Sequence, residues 1–127
     1  MSANPNMKII AIDDFSTMRR IIKNLLKQAG YENVFEAEDG QKALEIIRAE
    51  KVDLIISDWN MPKLNGFDLL KIVRSDPDLR HIPFVMITAE SEKEKIIKAV
   101  HAGVTDYIVK PFTAKTLQEK IAKIYEG

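Results

Sequence analysis

Apolar positions along the chain follow two alternating patterns. Short runs at 8–12, 34–38, 52–57, 83–88 and 106–109 carry mostly Ile, Val, Leu and Phe and predict β-strands. The first, third and fourth are nearly continuous in apolar character, as in strands covered on both faces, so the sheet is expected to be parallel. Between the strands the spacing lengthens to three and four. Phe15, Met18, Ile22, Leu25 and Ala29 mark the apolar stripe of a first helix, with Gly30 where a helix commonly stops. A second helix starts near Gly40 with Ala43, Leu44 and Ile47 inward. A third follows Asn65-Gly66 with Leu69, Leu70 and Val73 inward, and Ser75-Asp76-Pro77 breaks it. Ser91 is expected to cap a fourth helix carrying Ile96, Ile97 and Val100. Thr113 is expected to cap a fifth whose buried stripe is Leu117, Ile121 and Ile124.

Five βα units with right-handed crossovers place helices on both faces of one twisted sheet. The expected fold is α/β, a single doubly wound (βα)5 flavodoxin-like domain with five parallel strands in order 2-1-3-4-5. A chain of 127 residues suits one such domain, so residues 1–127 are read as one unit without an output domain. Residues 1–7 are expected to form a short flexible N-terminal segment.

Charge narrows the function classes. Nineteen Lys and Arg balance nineteen Asp and Glu, so no bulk field favours nucleic acid. There is no cysteine, which excludes thiolate metal sites and fits a reducing compartment. No apolar run approaches a signal peptide or a membrane span, so a cytoplasmic protein without membrane insertion is expected.

Open parallel sheets bind ligands beyond the carboxyl ends of their strands. Here those ends carry Asp13-Asp14, Asp58, Thr88 and Lys110, the last followed by Pro111. Three carboxylates at one edge raise one another's pKa values unless a cation is present. An all-oxygen set without Cys or a converging His suits Mg²⁺, which prefers a few carboxylates together with phosphate oxygens. Lys110 offers a compact positive charge to a phosphoryl oxygen, and the Thr88 hydroxyl offers a hydrogen bond. The edge therefore reads as a phosphoryl-transfer site. Each residue alone has a plainer role: Asp14 as a helix cap, Thr88 as an ordinary strand residue, Lys110 as a solvated strand end. Their joint occurrence on four strand ends outweighs those roles. Asp39-Gly40 is read as turn chemistry, His81 and His101 as surface or packing residues, and the run Glu92 to Lys95 as a solvated helix face.

The string Ile12-Asp13-Asp14-Phe15-Ser16-Thr17-Met18-Arg19-Arg20 resembles the receiver domain of two-component response regulators. So do Ser57-Asp58-Trp59-Asn60-Met61-Pro62, Ile87-Thr88-Ala89-Glu90 and Val109-Lys110-Pro111-Phe112. The resemblance runs over nearly the whole chain and is strongest to members serving chemotaxis. It implies that Asp58 accepts a phosphoryl group from a phosphohistidine on a chemotaxis histidine kinase. It further implies that Asp14, Asp58 and the main-chain carbonyl of Asn60 hold Mg²⁺, with Asp13 acting through a metal-bound water. Lys110, Thr88 and the N–H groups of Trp59 and Ala89 would bind the phosphoryl oxygens. The Lys110-Pro111 bond is expected to be cis. The output expected from the family is binding of a flagellar motor switch protein to the fourth helix, fifth strand and fifth helix. Tyr107 would be the switching aromatic, and Lys93, Ile96, Val100, Val104, Phe112, Lys120 and Lys123 the surface around it. The protein would act as a monomer, and a dedicated phosphatase is a further partner the family allows. One departure is Asn65, where many relatives carry Asp.

Three rivals share parts of this pattern. A phosphohydrolase with an Asp nucleophile needs a second Asp two positions later as general acid, and that position is Asn60. A flavin carrier of the same fold needs a Ser/Thr/Gly-rich phosphate loop after the first strand, where this chain has Asp13-Asp14-Phe15. A stand-alone receiver acting as a phosphorelay intermediate would use the same site chemistry and differ only in the acceptor.

Overall fold

In a computed structural model, which describes residues 4–89 and 92–125, strands and helices alternate strictly. The strands are β1 (Ile9–Ile12), β2 (Val34–Ala37), β3 (Leu54–Asp58), β4 (Phe84–Ala89) and β5 (Asp106–Lys110). The helices are α1 (Ser16–Gln28), α2 (Gly40–Glu50), α3 (Gly66–Ser75), α4 (Lys93–His101) and α5 (Ala114–Tyr125). All neighbouring strands pair in parallel, in the order β2-β1-β3-β4-β5. The strands differ from the sequence expectation by one or two residues at their ends. Asp58, Ala89 and Lys110 join the ladder, paired as Asp58 with Ile87 and Ala89 with Lys110.

Because every central strand is apolar on both faces, the sheet carries two cores. Ile10, Ile12, Ile55, Phe84 and Met86 face one layer, where they meet Ala43 and Ile47 of α2, Leu69, Leu70 and Val73 of α3, and Ala99 of α4. Ile9, Ala11, Leu54, Ile56, Val85 and Ile87 face the other, against Ile22 and Leu26 of α1 and Leu117 and Ile121 of α5. Each of these large side chains, removed wholly from water, contributes about 1.5–3 kcal/mol before chain entropy is charged against it. Met7 is buried in the second core, ahead of the first strand.

Local chemistry sets the helix limits. Asp39 caps α2 by accepting the Lys42 N–H at 2.8 Å, Asn65 caps α3 by accepting the Asp68 N–H at 2.8 Å, and the Thr113 hydroxyl accepts the Thr116 N–H at 3.2 Å. Gly30 and Gly103 follow the ends of α1 and α4 with φ of +100° and +93°, a backbone region costly for any residue bearing a Cβ. The expected cap of α4, Ser91, lies outside the described residues. Phe15 departs from expectation. It occupies the N-cap of α1 in extended conformation, ahead of the helical stripe, and is 68% exposed instead of buried. Among the described residues, no helix is long and apolar enough to cross a membrane.

Arg74, near the end of α3, ties together the segments that lead into β4 and β5. Its guanidinium donates to the carbonyls of Gly103 at 2.7 Å, Arg80 at 3.1 Å and Ile82 at 2.7 Å, and to the Thr105 hydroxyl at 3.1 Å. The Lys110–Pro111 peptide bond at the opposite edge is cis.

Candidate phosphoryl and metal site

Parallel register brings the strand ends into one line. Ile12 pairs with Ser57, Asp58 with Ile87, and Thr88 with Val109, so the residues that follow or end these strands emerge side by side. Asp13 and Asp14 leave β1, Asp58 ends β3, Thr88 and Ala89 end β4, and Lys110 ends β5. One carboxylate oxygen from each of Asp13, Asp14 and Asp58 lies within 4.8 Å of the others. Asp13 and Asp58 are buried and Asp14 is exposed.

Burial and mutual repulsion shape the protonation of this trio. Desolvation raises the pKa of Asp58, offset in part by the Lys110 ammonium 3.3 Å from Oδ1 and by the Trp59 N–H, while Asp14 pushes it up further. Desolvation also raises Asp13, with the Phe15 N–H donating to Oδ1 at 2.9 Å in opposition and Asp58 and Asp14 adding repulsion. Among the described residues, Asp13 Oδ2 is the one buried side-chain polar atom without a hydrogen-bond partner. A buried, unpartnered carboxylate oxygen facing two more carboxylates is the donor set of a hard divalent cation. No side-chain cap holds the start of α1, so Asp14 is not spent on that role.

Thr88 does not face the trio with a free hydroxyl. Its Oγ1 donates to Glu92 Oε2 at 3.1 Å, and a longer contact of 3.3 Å reaches the Ala89 carbonyl. Glu92 is held in turn by the Lys95 ammonium at 3.1 Å, and Lys95 also reaches Asn60 Oδ1 at 3.4 Å and lies 5.4 Å from the centre of the Trp59 ring. Trp59 is buried and stacks on Phe67, with ring centres 5.0 Å apart and planes 8° from parallel. These links make Glu92 and Lys95 part of the site's wall, whereas alternating charge in the sequence suggests a solvated face. The first two carboxyl contacts of Glu92 hold its pKa below the ordinary range, the Lys95 bond first and that of Thr88 after it.

The loop after Asp58 is fixed by a close backbone approach. Gly66 donates its N–H to the Trp59 carbonyl at 2.8 Å, and a Cβ there would overlap the Asp58 carbonyl and lie 3.1 Å from Met86 Sδ. Gly40, whose N–H donates to the Leu64 carbonyl at 3.0 Å, leaves no room for a Cβ beside Leu64.

The other expected functional residues are more dispersed. Tyr107 is half-buried against the α2–α3–α4 core, with the Lys120 ammonium 5.2 Å from its ring centre and engaged with Asp106 at 3.1 Å. Val104 packs on the same core, but Phe112 packs on the α1–α5 core, on the other face of the sheet. Lys93, Lys123 and Val100 are exposed and Ile96 is half-buried; Ile97, left out of the expected surface, is as exposed as Val100. His81 and His101 are both exposed.

Residues 9–122 match the response regulator receiver domain. Chemotaxis protein CheY-3 of Vibrio cholerae is 56% identical over 123 residues, covering 97% of this chain and 95% of its own. Chemotaxis protein CheY of Pseudomonas aeruginosa is 54% identical over 120 residues, covering 94% and 97%. A solved structure of chemotaxis protein CheY4 of Vibrio cholerae is similar with a TM-score of 0.85 at 36% identity, covering 94% of this chain and 98% of that one.

Proposed function

We propose, from the premise that this chain belongs to the response regulator receiver family, that it is a phospho-aspartate switch of chemotaxis with Asp58 as phosphoacceptor. The observation that carries the reading is the buried Asp58 carboxylate held 3.3 Å from Lys110 beside two further carboxylates, one with an orphaned oxygen. In the proposed reaction an Asp58 oxygen attacks the phosphorus of a kinase phosphohistidine. The O–P bond forms as the N–P bond breaks, and the bonding pair returns to the imidazole. The protein's part is positioning and charge neutralisation of a loose transition state.

Lys110 places its charge at the phosphoryl group, and the Thr88 hydroxyl with the N–H groups of Trp59 and Ala89 donates to the remaining oxygens. Asp14, Asp58 and the Asn60 carbonyl would hold Mg²⁺, with Asp13 acting through water, and the ion would supply charge neutralisation for the transferred group. Asn60, two residues past the nucleophile, offers no acid to speed the return to water, which suits a signal that must persist.

In the proposed output a cytoplasmic monomer receives the phosphoryl group from a histidine kinase and binds the flagellar motor switch protein through α4, β5 and α5, with a phosphatase ending the signal. Exposed Ile97 and Val100 beside Lys93 and Lys98 give that surface an apolar and basic character suited to an acidic amphipathic segment. The test is incubation with Mg²⁺ and acetyl phosphate followed by intact mass measurement. One added phosphoryl group is expected in the parent and none in Asp58→Asn; equal labelling of both would remove Asp58 from the reaction.

A further inference from the structure

In the resting protein, one of the donors assigned to the phosphoryl oxygens is already occupied. Thr88 Oγ1 donates to Glu92 Oε2 at 3.1 Å. Glu92 therefore offers Thr88 an anionic oxygen when no phosphoryl group is bound. Two further contacts fix it there: the Lys95 ammonium at 3.1 Å, and through Lys95 a link to Asn60 Oδ1 at 3.4 Å.

An incoming phosphoryl group and the Glu92 carboxylate compete for one hydroxyl hydrogen, since Thr88 has a single O–H to donate. From this geometry we propose that Glu92 is an internal placeholder for a phosphoryl oxygen, a positioning residue that holds Thr88 away from Asp58 until the acyl phosphate displaces it. The proposal rests on the reading of Asp58 as phosphoacceptor and adds a consequence. Phosphorylation breaks the Thr88–Glu92 bond, and the first turn of α4, where Glu92 is the N-cap residue, loses its tie to β4. Thr88 thus couples the site to α4 directly, by exchanging one acceptor for another.

The competition predicts that removing the placeholder favours the phosphorylated state. The probe is beryllium fluoride with Mg²⁺, a phosphoryl mimic, titrated into the full chain while Trp59 fluorescence reports binding. Glu92→Ala is expected to bind the mimic about three- to tenfold more tightly than the parent, the effect of freeing one partly solvated charge-assisted hydrogen bond. Glu92→Gln keeps an acceptor for Thr88 and is expected to lie closer to the parent than to Glu92→Ala. Glu94→Ala removes an exposed acidic residue from the same first turn, and is expected to leave the midpoint unchanged. Affinity for Mg²⁺ alone, read from the same indole, should be equal in the parent and Glu94→Ala.

Each alternative has its own signature. Equal tightening in Glu92→Ala and Glu92→Gln would mean simple charge repulsion and overturn the placeholder. Equal tightening in Glu94→Ala would assign the effect to a loosened α4 and overturn it as well, as would unchanged or weaker binding in Glu92→Ala. Failure of the parent to respond to the mimic, or an identical response from Asp58→Asn, would instead refute the phosphoacceptor reading on which the proposal stands.

Discussion

Replacing Asp13 by Asn should stabilise the fold while impairing the proposed metal site. Asp13 is 1% exposed, its Oδ1 accepts the Phe15 N–H, and its Oδ2 has no partner. Asn keeps the first bond and turns an amide N–H₂ toward neighbouring carboxylates in place of the orphaned oxygen. Carboxylate oxygens of the trio come within 4.8 Å, and two unit charges at that separation repel by about 3.5 kcal/mol at an effective dielectric of about 20. Asp14 is exposed and Lys110 already offsets part of the charge on Asp58, so a net gain of about 1–3 kcal/mol remains after solvent screening. In a domain of this size that raises the melting temperature by about 3–10 °C.

The pH dependence has a definite sign. The folded pKa values of Asp13 and Asp58 are raised, so the folded state holds their protons more tightly than the unfolded chain. Stability from these groups is therefore fullest below the ordinary carboxylate value of 3.8 and falls as pH rises through the raised values. Thermal melts in chelator across that window should show a parent that loses stability toward neutral pH and an Asp13→Asn variant with a flatter profile. Saturating Mg²⁺ should stabilise the parent more than the variant and narrow the difference. An Asp13→Asn protein less stable than the parent in chelator at neutral pH would refute the argument that unrelieved carboxylate repulsion is stored at this edge.

Two more expectations follow from the site's surroundings. Gly66→Ala should cost about 1–3 kcal/mol in urea denaturation and weaken Mg²⁺ binding, because its Cβ would displace the Asp58 carbonyl; unchanged stability would show that the loop yields freely. Tyr107→Ala should leave Mg²⁺ affinity near that of the parent while reducing the mimic-dependent gain in binding of a labelled motor-switch peptide, and a parent-sized gain would take Tyr107 out of the switch.

The fold was legible because the apolar runs are short, three of the five are nearly continuous, and the helices carry apolar residues at a spacing of three and four. The main error there, Phe15, arose because an N-cap residue shares the helix's numerical spacing without sharing its geometry. The trio and Lys110 were legible as polar residues at the ends of buried strands. Glu92 and Lys95 were not. Their charges alternate as on any solvated helix, and the contact of Glu92 with Thr88 is a matter of the folded structure alone. The dispersal of Phe112 and Val104 onto opposite faces of the sheet is likewise a matter of three-dimensional packing that residue type does not encode.

The Arg74 clamp gives α4 a mechanical character. By gripping the Gly103 carbonyl just past the helix, together with Thr105, Arg80 and Ile82, it pins one end of a nine-residue rod to the base of the sheet. The rod is about 13 Å long, and its other end is fastened to β4 near Thr88 through Glu92. Once the Glu92 tie is released, the rod would be held at one end and would pivot. Shifting the free end by one hydrogen-bond length, about 3 Å, tilts the axis by about 13°, with the displacement greatest at Lys93 and vanishing toward Gly103. Arg74 would in this sense act as a fulcrum, and the proposed partner surface on α4 would present an angle.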